Sequence, residues 1–466
     1  MDFRTTTLRE LHEKLVSGEV TPGDLLDHSK SVIEDRNPTV NAFIEVFDGQ
    51  DTNIDPKKGT LAGIPMAVKD NILFKGKKVS GASKMLENYV ASYDAKVAEL
   101  LAKEGALLMG RTNMDEFAMG TSTESSYYGV TRNPLDETRV PGGSSGGPAA
   151  AVAAGMVAYT LGSDTGGSIR QPAACCGVVG LKPSYGSVSR RGLFAMSSSL
   201  DVIGPITNSV EDAELVFNAI NEYDELDNTS VLPEVRVRYQ EKNTNGKVIG
   251  VPRAFLRLEG IHPEVLANFE SSIKKMEDLG YTIVDIDLPT IEHALAVYYI
   301  IQPAEASSNL ARYDGIRYGL SVPGDDLLDG YLKTKTEGFG REVQRRIMLG
   351  TYVLSSGYHD EYYYKARALR AKITEEVHQA FDQVDIIATP TAPNTAFKLG
   401  EKQDPLSLYL EDLFTVPANL TGNPAISIPS GKDENGMPFG MHFTAPMFCE
   451  NKLFEISKDF ERAILN

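Results

Sequence analysis

Residues 141–170 read PGGSSGGPAAAVAAGMVAYTLGSDTGGSIR, with a serine- and glycine-rich turn at each end of one predicted helix and strand. Glycine fills 12 of the 51 positions from Gly142 to Gly192 but only 41 of 466 in the whole chain. Glycine is favoured where a backbone must approach another backbone or a ligand closely. The two turns are therefore predicted to face each other across a site.

Around this stretch, short apolar runs alternate with helical patterns, which is typical of an α/β protein. Strands are predicted at 64–68, 106–109, 157–161, 248–251, 281–288, 384–388 and 425–429, and helices within 1–45, at 95–103, from Pro148, at 262–279 and over most of 290–375. The charged connection at 232–247 is not expected to separate two domains, so the later strands should continue the same sheet.

The composition excludes several classes of protein. The formal net charge of −18 disfavours binding of nucleic acid by this chain alone. The charged start of the chain argues against a signal peptide, and the small residues of 142–164 predict a buried helix rather than a membrane span. We expect a cytoplasmic protein whose three cysteines, Cys175, Cys176 and Cys449, are reduced packing residues.

Histidine and metal chemistry are disfavoured by the positions of the seven histidines. None lies between His28 and His262, and no pair has the spacing of a helical metal site. A distant histidine could still fold next to the glycine-rich turns. No metal site is predicted.

A serine nucleophile without a local histidine needs another base, and a lysine kept neutral by burial can serve. Lys69 ends the apolar run of GIPMAVKDNI, where loss of solvent would lower its pKa. Alternatively, Lys69 forms an ordinary ion pair with Asp70 at the end of a strand.

The loop GSDTGGS at 162–168 follows a predicted strand and presents successive backbone N–H groups. Ser168 is placed as the nucleophile, with an oxyanion hole formed by the N–H groups of Thr165, Gly166 and Gly167 together with its own. A phosphate-binding loop is the competing interpretation. However, the nearest match to the nucleotide-binding motif, GALLMGRT at 105–112, has Arg111 in place of the lysine.

Three motifs resemble the amidase signature family: GIPMAVKDNI, PGGSSGGPAAAVAAG and GSDTGGSIRQPAACCGVVGLKPSYG. Members of this family hydrolyse or transfer amides with a Ser-cis-Ser-Lys triad. The resemblance implies Ser168 as nucleophile, Ser144 as a bridging serine on a cis peptide and Lys69 as base. The residues implied to hold the loops in place are Ser145, Asp164 and Arg170.

The same resemblance implies an α/β amidase-signature fold, in which a central mixed, twisted β-sheet is covered by helices on both faces. We expect residues 1–466 to form one domain. Within it, 1–57 should be an N-terminal helical segment, 58–215 the catalytic core, and 290–375 a mainly helical insertion that shapes the substrate pocket.

Within the family, the chain is most similar over nearly its whole length to the A subunits of tRNA-dependent amidotransferases. This implies hydrolysis of glutamine and transfer of ammonia to a partner that amidates Glu-tRNA(Gln) or Asp-tRNA(Asn). The implied partners are the B and C subunits of a heterotrimer, which contact the misacylated tRNA and use ATP and Mg²⁺. No cofactor is implied for this chain, and which tRNA is served stays open.

A glutamine pocket needs a cation for the carboxylate and an anion for the ammonium. The resemblance implies Arg346 and Asp412 for these roles, with Tyr299 beside them. A shift of one residue would instead select Arg345 or Tyr298, and Arg346 could also be a solvated helix residue paired with Glu342. Two other functions stay open: a stand-alone amidase acting on another small amide, and a catalytically silent scaffold.

Overall fold

Eleven strands form one mixed sheet in the computed structural model, which describes residues 1–240, 246–402 and 404–465. The strands are β1 (Phe43–Val46), β2 (Pro65–Lys69), β3 (Leu107–Thr112), β4 (Tyr159–Asp164), β5 (Val179–Lys182), β6 (Val202–Thr207), β7 (Val248–Val251), β8 (Thr282–Asp285), β9 (Ile386–Pro390), β10 (Ala425–Lys432) and β11 (Pro438–Thr444). Their order in the sheet is β1-β3-β2-β4-β6-β5-β10-β11-β9-β7-β8. The predicted α/β fold is confirmed, and β7 and β8 continue the same sheet as predicted.

Fifteen α-helices accompany the sheet within these described ranges. They are α1 (Leu8–Ser17), α2 (Pro22–Val40), α3 (Lys96–Glu104), α4 (Gly146–Ala153), α5 (Arg170–Cys176), α6 (Val210–Ile220), α7 (Pro233–Gln240), α8 (Pro263–Asp278), α9 (Ala294–Asn309), α10 (Leu327–Gly338), α11 (Arg341–Leu354), α12 (Lys365–Ala380), α13 (Pro405–Tyr409), α14 (Val416–Thr421) and α15 (Glu450–Leu465). In the parts of the chain described here, no helix is long and apolar enough to cross a membrane.

The pairing of β2 with β4 positions the two sequence motifs that carry polar residues. These strands run parallel, with Met66 opposite Tyr159 and Val68 opposite Leu161. Parallel neighbours end at the same edge of a sheet. The last residues of the two strands, Lys69 and Asp164, therefore lie at one edge, where the glycine-rich turns also lie.

Small side chains allow α4 to pack tightly at this edge. Every residue from Gly146 to Val152 is buried, as predicted for a helix of small residues. A Cβ atom on Gly147 would overlap the backbone of Asn113, so glycine is required there for close approach. A Cβ on Gly162 of β4 would press against Ser145 and Ile169. The two turns are therefore packed directly on each other.

One sequence prediction needs correction. The segment 1–57 contains α1 and α2, but also β1, which pairs antiparallel with β3 at the edge of the sheet. The connection at 232–247 includes helix α7; residues 241–245 of that connection lie outside the described residues.

Residues 290–375 are mainly helical, as expected, and include α9, α10, α11 and the start of α12. The three cysteines are free and buried.

Candidate active site

Lys69 lies at the centre of a buried group of hydroxyls. Its Nζ is 2.7 Å from the Oγ of Ser144, 2.9 Å from the Oγ of Ser163 and 3.2 Å from the carbonyl oxygen of Ser163. Lys69, Ser144 and Asp70 are fully buried. Asp70 is instead paired with Arg111 at 2.9 Å, so the alternative of a Lys69–Asp70 ion pair is wrong.

The electrostatics of the Lys69 amine follow from its burial. Loss of solvent lowers the pKa of Lys69 to about 7, although the negative charges of Asp115, Asp164 and Asp201 act to raise it. Among the described residues, no carboxylate lies within ion-pair distance of the Lys69 amine, because Asp164 and Asp70 pair with arginines instead. No ion pair therefore returns the pKa of Lys69 to its usual value. The amine is therefore uncharged in a large share of molecules near pH 7.

Ser144 is held between two backbone segments. The Gly143–Ser144 peptide bond is cis, which is the geometry that the family resemblance implies. The carbonyl oxygen of Ser144 accepts a hydrogen bond from the N–H of Asp115 at 3.2 Å. The next residue, Ser145, donates its N–H to the carbonyl oxygen of Ser168 at 3.1 Å. The serine turn of α4 is therefore joined directly to the turn that carries Ser168.

Ser168 differs from Lys69 and Ser144 in exposure. It retains 8% of its accessible surface, whereas the other two have none. Of these three residues, only Ser168 can be reached from outside the protein. This difference fits an arrangement in which a substrate meets Ser168 and the other two act from behind it.

Asp164 determines the shape of the loop before Ser168. Its two carboxylate oxygens accept the N–H groups of Gly167 at 2.9 Å and Ile169 at 3.1 Å. Because the Gly167 N–H is already bonded, the predicted role of Gly167 as an oxyanion donor does not fit this structure. The N–H groups of Gly166 and Ser168 have no acceptor among the described residues.

Arg170 secures Asp164 from the other side. Its Nε and Nη2 donate to the Asp164 carboxylate at 3.1 and 2.9 Å, and both side chains are fully buried. Burial opposes ionisation, but Arg170 holds the pKa of Asp164 well below its usual range. Asn419 also donates to Asp164 at 2.8 Å, and Ser145 Oγ donates to the Ser163 carbonyl at 3.1 Å. The three loop-holding residues implied by the resemblance thus contact the loops directly.

Tyr299, Arg346 and Asp412 lie together, beside the loop. The Tyr299 hydroxyl donates to Asp412 at 2.8 Å, and the Arg346 guanidinium lies 5.1 Å from the Tyr299 ring centre. Burial raises the pKa of Asp412 to about 7, against the effects of Tyr299 and Arg346. Thr415 connects this group to the loop, since its hydroxyl donates to the carbonyl of Gly166 at 2.6 Å.

The structure separates the alternatives that differ by one residue. Arg346 is 3% exposed and donates to Gln302 and Glu342, whereas Arg345 is 46% exposed. The alternative interpretation of Arg346, a solvated helix residue paired with Glu342, is therefore right about the pairing and wrong about the solvation. Tyr298 packs its ring against Gly166, where a Cβ atom would overlap it.

The nearest match to the nucleotide-binding motif, at 105–112, is not a phosphate-binding loop. Residues Leu107–Thr112 form strand β3, and Gly110 is paired with Val46 of β1. A loop that wraps phosphates cannot also be a paired strand within the sheet.

Sequence reasoning missed several residues at this site because their positions along the chain are remote or unremarkable. Ser163 belongs to no distinctive pattern of its own, yet it contacts Lys69, and its Oγ accepts from Asn71 at 2.9 Å. Gln302 and Thr415 come from helices or turns far along the chain. Only their hydrogen bonds in the folded protein identify Ser163, Gln302 and Thr415 as residues of the site.

Comparisons with known proteins show which family this chain resembles. The family model described as Amidase matches residues 25–454. The A subunit of glutamyl-tRNA(Gln) amidotransferase from Halothermothrix orenii is 49% identical, over 100% of this chain and 98% of the relative. The protein of the same name from Moorella thermoacetica is 52% identical, over 87% of this chain and 83% of its own.

Solved structures show the same fold. The crystal structure of the glutamyl-tRNA(Gln) amidotransferase A subunit from Thermotoga maritima has a TM-score of 0.83 and 44% identity, covering 99% of this chain and 95% of that one. Native peptide amidase from Stenotrophomonas maltophilia has a TM-score of 0.79 and 27% identity, covering 99% and 97%. With a matching family model and full-length relatives, this chain belongs to the amidase family.

Proposed function

We propose that this chain is the glutamine-hydrolysing A subunit of a tRNA-dependent amidotransferase. The observation that carries the proposal is the 2.7 Å contact between a buried Lys69 amine and the Ser144 hydroxyl, next to the turn of Ser168, which alone of the three retains accessible surface. The names of the full-length relatives support the same function.

Proton transfer begins with the neutral amine. The carbonyl of Ser163 can only accept, so it takes one N–H of Lys69, and the Ser163 hydroxyl takes the other. The lone pair of Lys69 is then free for the Ser144 hydroxyl. As Ser168 attacks, its proton passes to Ser144 while the Ser144 proton passes to Lys69.

The covalent steps balance through the same relay. The Ser168 oxygen bonds to the side-chain amide carbon of glutamine, and the carbonyl oxygen becomes negatively charged. The C–N bond then breaks, and the leaving nitrogen takes the proton back through Ser144 and departs as ammonia. Water attacks the acyl-enzyme with the same proton path, which releases glutamate and restores the Ser168 hydroxyl.

Charge on the carbonyl oxygen is stabilised by backbone donors in this proposal. Gly166 and Ser168 have N–H groups without an acceptor among the described residues, and Thr165 lies beside them with its hydroxyl bonded to Asp201 at 2.7 Å. Loss of one donor from an oxyanion hole typically lowers the rate by about 10²–10³.

The pocket favours an amino acid over a simple amide. Arg346 would bind the α-carboxylate of glutamine and Asp412 its α-ammonium, on two sides of Tyr299. An ammonium next to Asp412 would favour the charged carboxylate, whose pKa is raised by burial. A stand-alone hydrolase of simple amides would have no use for this pair of opposite charges.

Ammonia released at Ser168 passes to partner subunits, B and C, in the proposed assembly. The partner activates the misacylated Glu-tRNA(Gln) or Asp-tRNA(Asn) with ATP and Mg²⁺, and this chain contributes no cofactor. The net charge of −18 fits this division, because such a surface repels tRNA phosphates.

The substitution Ser168→Ala tests the proposal in the assembled complex. We expect glutamine-dependent amidation to be lost, while amidation with added ammonia continues at the rate of the unmodified complex. Ser17→Ala, at an exposed position of α1, is the matched control and should leave both activities unchanged. Persistent glutamine-dependent turnover in Ser168→Ala would exclude Ser168 as nucleophile, and hydrolysis of simple amides without any gain from glutamine or partners would favour the stand-alone alternative.

A further inference from the structure

Gln302 is fully buried on α9 and has only half of its amide satisfied. Its Oε1 accepts a hydrogen bond from Nη1 of Arg346 at 2.8 Å. A guanidinium can only donate, so this contact determines which end of the amide faces Arg346. The other end, Nε2, is buried and has no acceptor among the described residues.

A buried donor without an acceptor is unusual and needs an explanation. Buried polar groups in folded proteins are almost always hydrogen-bonded, because an unmade bond is unfavourable in a dry interior. Each exception calls for a specific explanation, and a bound ligand that supplies the missing acceptor is one such explanation. Beside it, Nε and Nη1 of Arg346 are bonded to Glu342 and Gln302. Its Nη2 has no acceptor in the described part of the chain and is not one of the buried unsatisfied atoms there, so it is open to a ligand.

The position of Gln302 on α9 places it at the candidate active site. Residues three and four apart share one face of a helix, so Gln302 lies on the face of Tyr298 and Tyr299. Tyr298 packs against Gly166, two residues before Ser168, and Tyr299 donates to Asp412. Nε2 of Gln302 therefore belongs to the face of α9 that meets the loop and Asp412.

We propose that Gln302 is a specificity-determining residue that binds the α-carboxylate of the substrate together with Arg346. One carboxylate oxygen accepts from Nε2 of Gln302 and the other from Nη2 of Arg346. The oxygen and nitrogen of an amide are attached to one carbon, so Nε2 lies close beside the guanidinium. This inference rests on the proposed function, in which the substrate is an amino acid carrying an amide.

The charge balance explains why glutamine, and not glutamate, suits this position. Glu342 already pairs with Arg346 at 2.8 Å. A second carboxylate at position 302 would leave the pair with a net negative charge, which repels an incoming carboxylate. A neutral amide orients Arg346 through its oxygen and adds two donors without changing the charge.

Two variants of the full chain, purified in the complex in which it is expressed, test the role of Gln302. Gln302→Glu keeps an acceptor for Arg346 but removes the donors, and Gln302→Met removes both. Gln379→Glu is the matched control, because it makes the same glutamine-to-glutamate substitution at an exposed position of α12. Each protein is assayed with L-glutamine and with 4-aminobutanamide, which is glutamine without its α-carboxylate.

We expect Gln302→Glu to raise KM for glutamine by at least about 10- to 100-fold, because it removes a hydrogen bond to a charged group and adds a repelling carboxylate, with kcat changed less than about threefold. Gln302→Met should raise KM in the same direction. Binding of 4-aminobutanamide, scored as a substrate or as a competitive inhibitor, should be unchanged in both variants and in the control.

Two outcomes would overturn the inference. An unchanged KM for glutamine in both variants would show that Nε2 binds no carboxylate. Equal losses with glutamine and 4-aminobutanamide would show a purely structural role. These results differ from failure of the proposed function, in which the unsubstituted complex itself would not hydrolyse glutamine through Ser168.

Discussion

Nη1 of Arg170 lies 2.9 Å from Nε2 of His442, and this contact defines the protonation of a histidine that folds against the candidate site. A guanidinium cannot accept, so Nε2 must carry the lone pair and Nδ1 the proton, which it can donate to Thr389 at 3.1 Å. Burial and the charge of Arg170 hold the pKa of His442 well below its usual range. His442 is therefore a neutral structural acceptor rather than a base.

Replacing His442 should leave the acid–base chemistry intact. In His442→Gln an amide oxygen can still accept from Arg170, so we expect kcat to fall by less than about tenfold and the pH dependence to keep its shape. A pH profile of glutamine hydrolysis checks this. Disappearance of its acidic limb would identify His442 as the base and would remove that role from Lys69.

Lys69→Met should separate catalysis from stability. The substitution removes the proposed base, and we expect glutamine hydrolysis to fall by about 10²–10⁴. Burial of an amine is unfavourable to folding, so the free energy of unfolding at pH 7 should be unchanged or higher. Urea titration and a glutaminase assay measure the two effects. A folded Lys69→Met protein with normal activity would contradict the proton path through Lys69.

The pH dependence should differ between two reagents. A phosphonylating probe without an ammonium needs only neutral Lys69, whose pKa is about 7. Its reaction with Ser168 should therefore fall tenfold per unit below about pH 7 and level off above it. Glutamine also needs ionised Asp412, whose pKa is about 7, so its kcat/KM should fall more steeply, approaching a hundredfold per unit.

Lys182 is the necessary control for this profile. It is a second fully buried lysine, and burial together with the nearby Arg170 lowers its pKa to about 7 as well. Its Nζ donates to the carbonyl of Pro183 at 2.9 Å. Lys182→Met should retain the acidic limb with the phosphonylating probe. If the limb moves in Lys182→Met, titration of Lys69 is not its cause.

Asp164→Asn should destabilise the fold as well as the loop. The substitution leaves Arg170 charged and unpaired in a dry environment, which costs about 3–5 kcal/mol. Asp278→Asn is the control, because that side chain is 66% exposed in its pair with Lys274 and should change stability by less than about 1 kcal/mol. Urea unfolding measures the free energy of unfolding of both variants. If Asp164→Asn were as stable as Asp278→Asn, the Asp164–Arg170 pair would not support the loop.

Local patterns predict those parts of the site that lie in one motif. Lys69 and Ser168 stand out because an apolar strand and a glycine-rich turn precede them, whereas Ser144 is indicated by the family resemblance. Small residues in α4 likewise indicate a helix that packs closely. These features depend on neighbours in sequence, so they can be read without a structure.

Tertiary contacts decide the remaining parts. The hydroxyl of Ser163 matters only because β2 and β4 are adjacent strands, and the missing acceptor of Gln302 appears only once α9 packs against α11. The hydrogen bond that occupies the Gly167 N–H lies within one motif, but the Asp164 carboxylate that accepts it is also held by Asn419 from far along the chain. Sequence spacing carries no information on these bonds.

Covalent trapping of the nucleophile tests the central claim most directly. The full chain is incubated with a phosphonylating probe, digested and examined by mass spectrometry, beside Ser168→Ala and Lys69→Met. We predict one adduct on Ser168, absent from Ser168→Ala and formed about 10²–10⁴ times more slowly in Lys69→Met. An adduct on another residue, or labelling of Ser168 at an unchanged rate without Lys69, would contradict the account.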